Sequence, residues 1–458
     1  MITILKTYKE INEVLGIQSY DDYEKYRLSS YLFVLEVDDG FLVQNILTRE
    51  LILFTKTEYN SFINMSMTTE KERDLVYRWF YVPENISDRS IYYLFYQQYI
   101  KIHQKARMGS KNLFTIFTTT SCNARCPYCY EKDLERLSMS NETALDVAKY
   151  IDENRTIHSP ITLKWFGGEP LVNGNAINII CDYLQSVGAK YVSSITSNGY
   201  LFDKYTDDEI INLWKLKSVQ ITLDGTRDVY NSVKNYISDS NEAFDKVILN
   251  IERLLSIGVK VAIRLNVSHK NGEDLLLLLD YLRDRFSSQS NFSVYSHVLF
   301  DGEGDSSCRM NFDERNTANM YYAKIQEKTV EYGFGIYGNK FPPVHTSHCM
   351  ADNNQSICIT PTGNLTLCEH HVTDEIVGNI YEGITNLSIV KNWSKKYYES
   401  KCDSCRFLPQ CITLKKCVSF VNGCDEFNVL RKEISARVSM KNAYNNYLKN
   451  LNNENRNR

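Results

Sequence analysis

No stretch of the 458-residue sequence is apolar over a transmembrane length, and Lys6, Glu10 and Glu13 interrupt the N-terminus where a signal peptide would be apolar. Neither sign of charge dominates: the formal charge of −4 offers nothing to nucleic acid or to an anionic membrane. No internal repeat recurs along the chain, and residues 1–108 contain no cysteine. These absences set the expectation of a cytoplasmic protein with no nucleic-acid partner and no membrane partner. The remaining composition, 43% hydrophobic and 24% charged, is that of a soluble globular protein. The length suggests two to three domains.

Sulfur is in surplus. Thirteen cysteines in a reducing compartment argue against a disulfide framework and for metal or redox chemistry. The count is odd, so pairing alone could not absorb it. The cysteines form an early array at residues 122–129 and a late one at 349–424, and Cys181 and Cys308, outside both, read as structural.

Patterning divides the chain further. In residues 1–108, Tyr31–Val37, Phe41–Leu47 and Glu50–Phe54 read as strands, with Asp38-Asp39-Gly40 as the tight turn between the first two. Thr57–Asn64, Thr69–Phe80 and Ser87–Lys105 read as helices, Pro83 punctuating and Ser87 capping the last. This is a winged-helix-sized module without a basic face for DNA. Over 109–305 the pattern alternates. Leu113–Thr118, Ile161–Phe166, Tyr191–Thr196, Ser218–Leu223, Lys260–Val267 and Phe292–Phe300 are β-branched or aromatic runs. Amphipathic stretches separate most of them, at Glu142–Asp152, Asn175–Val187, Lys204–Lys215, Phe244–Ile257 and Gly272–Phe286. Six such repeats imply an α/β fold with parallel strands and outer helices, either a partial (β/α)6 TIM-like barrel or an open doubly wound sheet. A connecting helix, Asp313–Tyr332, lies in 306–345; residues 346–426 carry eight cysteines and little periodicity; within 427–458, Phe427–Leu448 reads as a helix before an Asn-rich, frayed end.

The early array is Ser121-Cys122-Asn123-Ala124-Arg125-Cys126-Pro127-Tyr128-Cys129, directly after a strand. Three thiolates cannot close a four-coordinate site. A [4Fe–4S] cluster on Cys122, Cys126 and Cys129 would leave one iron open for a chelating cofactor. A zinc knuckle would want a fourth Cys or His nearby, and the loop has none.

This string resembles the motif of the radical S-adenosylmethionine superfamily, with Tyr128 in the aromatic position before the last cysteine. Further segments resemble that family in order along the strands. Trp165-Phe166-Gly167-Gly168-Glu169-Pro170 is similar to its Gly-Gly-Glu-Pro segment, where backbone groups receive the cofactor's ammonium and glycines allow close approach. Thr196-Ser197-Asn198-Gly199 and Thr222-Leu223-Asp224-Gly225 resemble its ribose-contacting corners. Arg264, with Asn266, resembles the position where a cation meets the cofactor carboxylate. The cofactor-binding set implied is Tyr128, Gly167, Gly168, Glu169, Pro170, Ser197, Asn198, Thr222, Asp224, Arg264 and Asn266. Sites on parallel strands gather at their C-terminal ends.

The late array resembles the SPASM extension of peptide-modifying members: a hairpin at Pro361–Cys368 turning at Gly363, then Cys402-x-x-Cys405 and Cys411. The resemblance implies one auxiliary [4Fe–4S] cluster on Cys349, Cys368 and Cys417 and a second on Cys402, Cys405, Cys411 and Cys424, three clusters in all. Five residues separate Cys411 from Cys417, where the family usually has three. Cys358 is either a fourth ligand of the first auxiliary cluster or a buried apolar thiol. Glu369, directly after Cys368, occupies a position where related formylglycine-forming maturases have an acidic base.

The resemblance implies a radical maturase that uses S-adenosylmethionine to abstract hydrogen from a ribosomal precursor peptide. It would install a thioether or carbon–carbon cross-link, fed by a reductant such as flavodoxin or ferredoxin. Residues 1–108 resemble the leader-recognition elements fused to such enzymes, which bind a leader as an added strand. Alternatives are formylglycine-type oxidation of a protein Ser or Cys, peptide epimerisation, and an iron–sulfur electron carrier, which needs no cofactor pocket.

Overall fold

Two acidic residues at a hairpin turn, Asp38 and Asp39, start the architecture by joining β3 (Leu32–Val37) to β4 (Gly40–Asn45). The computed structural model describes residues 3–6, 25–107 (side chains to 98), 111–156, 159–238, 241–299, 306–334, 349–353, 355–393, 395, 399–411, 416–417 and 423–456 (side chains to 453). Glu10, Glu13, Phe300 and the linker end 335–345 lie outside the described residues.

The N-terminal module contains the three expected strands and three expected helices, plus three short strands that periodicity did not reveal. In chain order these are β1 (Thr3–Lys6), β2 (Tyr26–Leu28), β3, β4, β5 (Leu51–Phe54), α1 (Lys56–Ile63), α2 (Thr69–Tyr77), β6 (Tyr81–Pro83) and α3 (Asp88–Arg107). One antiparallel sheet runs β1-β5-β4-β3 and a second pairs β2 with β6. Thr55 and Glu58 form a reciprocal capping box on α1, and the Ser87 hydroxyl accepts from Ser90 N at 3.1 Å ahead of α3.

The alternating region forms β7 (Leu113–Thr119), α4 (Asn141–Asn154), β8 (Ile161–Gly167), α5 (Gly174–Ser186), β9 (Tyr191–Ser197), β10 (Leu216–Leu223), α6 (Arg227–Lys234), α7 (Ala243–Ser256), β11 (Lys260–Val267), α8 (Gly272–Phe286) and β12 (Phe292–Val298). The six strands are parallel and adjacent in sequence order, β7 through β12. A doubly wound sheet would reverse its order at a switch point; this one does not, so the crossovers all return on one face, as in a partial barrel. Helix α7 shows why the outer layer forms: Phe244, Val247, Ile248, Ile251, Leu254 and Leu255 fall on one face and are all buried. Each such side chain contributes about 1.5–3 kcal/mol by leaving water.

One expectation needs correction here, and one helix lay outside the expected set. The helix expected over Lys204–Lys215 is a 3-10 turn at Phe202–Lys204 and a widened helical segment at Glu209–Leu213. Helix α6 was not read at all.

Beyond α9 (Phe312–Glu331), the cysteine-bearing region extends the same sheet. Strand β13 (Ser356–Ile359) pairs in parallel with β7, and β14 (Asn364–Thr366), β15 (Gly378–Asn379) and β16 (Gly383–Ile384) follow antiparallel. Helices α10 (Leu387–Trp393) and α11 (Glu426–Arg456) complete the order. Helix α11 also closes a second core: Phe33, Leu42, Ile46 and Leu51 of the N-terminal sheet pack with Phe407, Leu408, Met440 and Tyr444. The chain's first and last thirds thus share buried surface.

Candidate active site

The loop after β7 places the three early cysteines at the C-terminal ends of the parallel strands. Cys129 N donates to Cys126 O at 3.2 Å, and Ala124 N points at Cys122 Sγ, 3.4 Å away. Burial, then the Glu169 carboxylate, pushes Cys122 up to about 12; burial, then Glu131, pushes Cys129 up to about 11. Burial raises Cys126 too, against the pull of the Lys234 ammonium. Ligation needs thiolates, so metal loading must release these protons. Among the described residues no three His, Cys, Asp or Glu side chains converge as a single ion requires. A four-iron cube needs no such convergence, because each thiolate binds a different iron.

The Gly-Gly segment packs against this loop. Gly167 has φ +126°, and a Cβ there would stand 2.1 Å from Thr119 O; a Cβ on Gly168 would stand 2.5 Å from Ser121 O. Gly168 N donates to Thr119 O at 3.1 Å and Glu169 N to Ser121 O at 2.9 Å. The glycines therefore serve close approach of the chain to its own thiol loop. The Glu169 side chain turns away and ties β8 to β9: it accepts from Ser197 Oγ at 2.9 Å, Asn198 N at 2.7 Å and Leu171 N at 3.1 Å. Burial raises its carboxyl to about 7, against these donors.

Asn198 Nδ2 donates to Asn123 Oδ1 at 2.7 Å, joining the β9 corner to the thiol loop. At the β10 corner, Tyr128 donates to Asp224 Oδ2 at 2.8 Å, and Lys234 Nζ lies 2.9 Å from the same oxygen. Burial disfavours charge on Lys234, but Asp224 and the neighbouring Tyr128 more than offset it and hold the ammonium well above its usual value. Arg264 Nε donates to Asn266 Oδ1 at 3.0 Å.

These groups open on a cavity of about 260 Å³. Of the residues singled out from sequence, Cys122, Cys126, Cys129, Tyr128, Gly167, Gly168, Ser197, Asn198, Thr222, Arg264, Asn266 and Glu369 line it. Glu169, Pro170 and Asp224 stand behind the wall instead, at 0% exposure for Glu169 and 1% for Asp224. Sequence reasoning missed Lys234, Lys164, Glu131 and His370, and it set aside Cys308, which also lines the cavity. For Lys234 a signal existed: it falls four residues after Tyr230, on the buried face of α6.

Glu369 reaches the cavity from the C-terminal region. Lys164 Nζ donates to its Oε1 at 3.4 Å, while Oε2 is buried with no partner among the described residues. His370 stacks on Tyr130, ring centroids 4.2 Å apart. Nearby Glu131 is pushed up to about 7, by burial first.

The late cysteines fall into two neighbourhoods. Cys368 is raised to about 12 by burial, with Glu369, Cys349 and Cys417 adding to it, and Cys349 responds to Cys417 in the same way. Cys411 is raised to about 11, chiefly by burial, with Cys424, Cys405 and Cys402 around it. Cys358 is fully buried in β13, and burial, then Glu369 and Cys368, raises it well above its ordinary value.

Residues 116–282 match the family model of the radical SAM superfamily. They form a radical SAM domain. It takes in most of β7, the thiol loop, the Gly-Gly segment and Arg264, and it ends within α8. Over 180 residues the chain is 25% identical to a GTP 3′,8-cyclase of Staphylococcus haemolyticus, 37% of this chain and 50% of that one. Over 167 residues it is 28% identical to the GTP 3′,8-cyclase of Clostridium perfringens strain SM101, 35% and 48% of the two chains. The chain thus spans about half the length of these curated relatives. Beyond the radical SAM domain, the fold is similar to that of native anSMEcpe with bound AdoMet and Cp18Cys peptide. The TM-score is 0.56 at 16% identity, covering 74% of this chain and 99% of that one.

Proposed function

We propose that this chain is a radical S-adenosylmethionine maturase that oxidatively cross-links a ribosomal precursor peptide. The observation that carries the reading is the shared cavity: three thiols of the early array, the strand-end corners and Glu369 line one space. The donor set suits an iron–sulfur cluster, with Cys122, Cys126 and Cys129 as ligands and no fourth protein ligand called for. If bound there together, cluster and S-adenosylmethionine would supply hydrogen-abstracting radical chemistry. Cys349, Cys368 and Cys417 would hold one auxiliary cluster and Cys402, Cys405, Cys411 and Cys424 a second, with Cys358 as a further thiol beside Cys368.

The chain's own residues orient, enclose and move a proton. Gly167, Gly168, Ser197, Asn198, Thr222, Arg264 and Asn266 offer backbone and polar contacts around the cofactor, and Arg264 suits its carboxylate. Phe166 and Leu299 contribute apolar wall that excludes water. A cross-link removes two hydrogens from the peptide, one as an atom taken by the radical and one as a proton plus an electron, which an auxiliary cluster on the late cysteines would accept. The Glu369 carboxylate, which lines the cavity, accepts the proton; Lys164 holds its Oε1 in place. The N-terminal module presents β3 as an edge to which a leader adds as a strand.

The test uses anaerobically reconstituted full-length protein, S-adenosylmethionine, a flavodoxin or dithionite, and short Cys- or aromatic-rich peptides encoded beside the gene. The expected result is 5′-deoxyadenosine together with a peptide lighter by two hydrogens per bond formed. A peptide of unchanged mass but altered chirality would point to epimerisation instead, and absence of 5′-deoxyadenosine would overturn the reading.

A further inference from the structure

Lys234 is absent from the mechanism above, yet it is a buried cation at the centre of the thiol loop's supports. Its side chain is 4% exposed and that of Asp224 1%, with Nζ and Oδ2 2.9 Å apart. Nζ donates to the Tyr128 hydroxyl at 3.1 Å, and that hydroxyl donates to Asp224 Oδ2 at 2.8 Å, closing a three-membered ring of contacts. The backbone makes a second attachment: Arg125 N donates to Lys234 O and Ile237 N to Asn123 O, both at 2.9 Å. Between them Asn235 takes φ +46°, the left-handed turn that carries the chain across the loop. Residues 234–237 thus strap the thiol loop from Asn123 to Tyr128.

A buried ion pair seldom repays its desolvation as stability, so its position asks for another account. A cluster on three thiolates carries negative charge that grows by one on reduction, and a carboxylate left uncompensated in a water-poor wall beside it would disfavour the reduced form. Resting on the cluster reading above, we propose that Lys234 is a positioning residue, stapling the thiol loop through Tyr128 and Asp224 and neutralising the buried Asp224 carboxylate beside the cluster.

The test compares wild-type, Lys234→Met, Lys234→Arg and Tyr128→Phe proteins, full-length and anaerobically reconstituted, by EPR-monitored redox titration, by iron release to a chelator and by amide hydrogen exchange over residues 123–126. Lys234→Met should titrate at a more negative midpoint and lose iron faster; Lys234→Arg should return the midpoint toward wild type. Tyr128→Phe, which keeps the charge and removes the hydroxyl link, should keep the midpoint and lose iron faster. Wild-type midpoint and iron release in Lys234→Met would overturn the proposal, as would a Tyr128→Phe protein indistinguishable from wild type should Lys234→Met not fold. If the three early cysteines prove to bind no iron, the cluster reading fails separately. The staple is then decided by exchange alone: protection of 123–126 must fall in the Lys234 and Tyr128 variants.

Discussion

Glu369 lines the cavity with one oxygen on Lys164 and the other buried without a partner among the described residues, an arrangement suited to taking up a proton. Glu369→Gln should retain iron and still release 5′-deoxyadenosine, while modified peptide falls by about a hundredfold, the usual worth of a positioned base. Product formed near the wild-type rate would reduce Glu369 to an ion-pair partner of Lys164. His297 in β12 gives a pH test. Burial, then Arg264 and Arg431, lowers it from 6.5 to about 3. The folded value lies below the unfolded one, so its stabilising share is complete above pH 6.5 and is lost as pH falls toward 3. By pH 5 the loss is about 2 kcal/mol. Between pH 7.5 and pH 5 the thermal midpoint of His297→Gln should fall less than that of wild type; equal falls would contradict this. The thiols, the Gly-Gly segment and Arg264 were legible because chemistry and spacing are local. Lys234 was missed because helix α6, whose buried face it shares with Tyr230, was not read, and its partner Tyr128 lies 106 residues away.

Strand β3 offers an element-scale test of leader binding. Ile46 N donates to Tyr31 O, and with period two the amides of Leu32, Val34 and Glu36 point away from β4. Among the described residues no strand pairs with that edge. Val34→Pro removes an outward donor and no ladder bond. It should weaken precursor binding by about tenfold or more, the equivalent of one to two lost hydrogen bonds, without changing 5′-deoxyadenosine release in the absence of peptide. Unchanged affinity in a titration with full-length precursor would remove β3 as the docking edge. The barrel strands were readable from period and β-branching, to within a residue or two. The Lys204–Lys215 stretch was not, because Thr206 and Glu209 cap each other inside it, Glu209 N donating to Thr206 Oγ1 at 3.2 Å. Trp214 N then reaches Glu209 O at 2.7 Å, a widened turn that buries the Trp214 ring completely. Tertiary burial overrode the local pattern.

At the scale of the molecule, the N-terminal sheet is not a detachable reader. Phe33 and Phe407 lie with ring centroids 5.5 Å apart, and the Tyr444 hydroxyl donates to Asp39 in the β3–β4 turn. Cys402 and Cys405 pack against this same core. Deleting residues 1–108 should therefore lower the unfolding temperature and loosen iron held by the Cys402 set; a truncated protein with full iron and an unchanged midpoint would refute the shared core. Sequence composition could not show this, since the contacts join residues more than three hundred positions apart. Nor could it show that β13 extends the barrel's own sheet and so carries Glu369 to the early thiols.

The central claim is that Cys122, Cys126 and Cys129 hold the cluster that cleaves S-adenosylmethionine, apart from two auxiliary clusters. It is tested most directly by replacing all three by Ala, reconstituting anaerobically, and measuring iron and 5′-deoxyadenosine on one preparation. The account predicts about two-thirds of the wild-type iron, one cluster of three being lost, and no 5′-deoxyadenosine. A triple variant that keeps all its iron, or still releases 5′-deoxyadenosine, would contradict it.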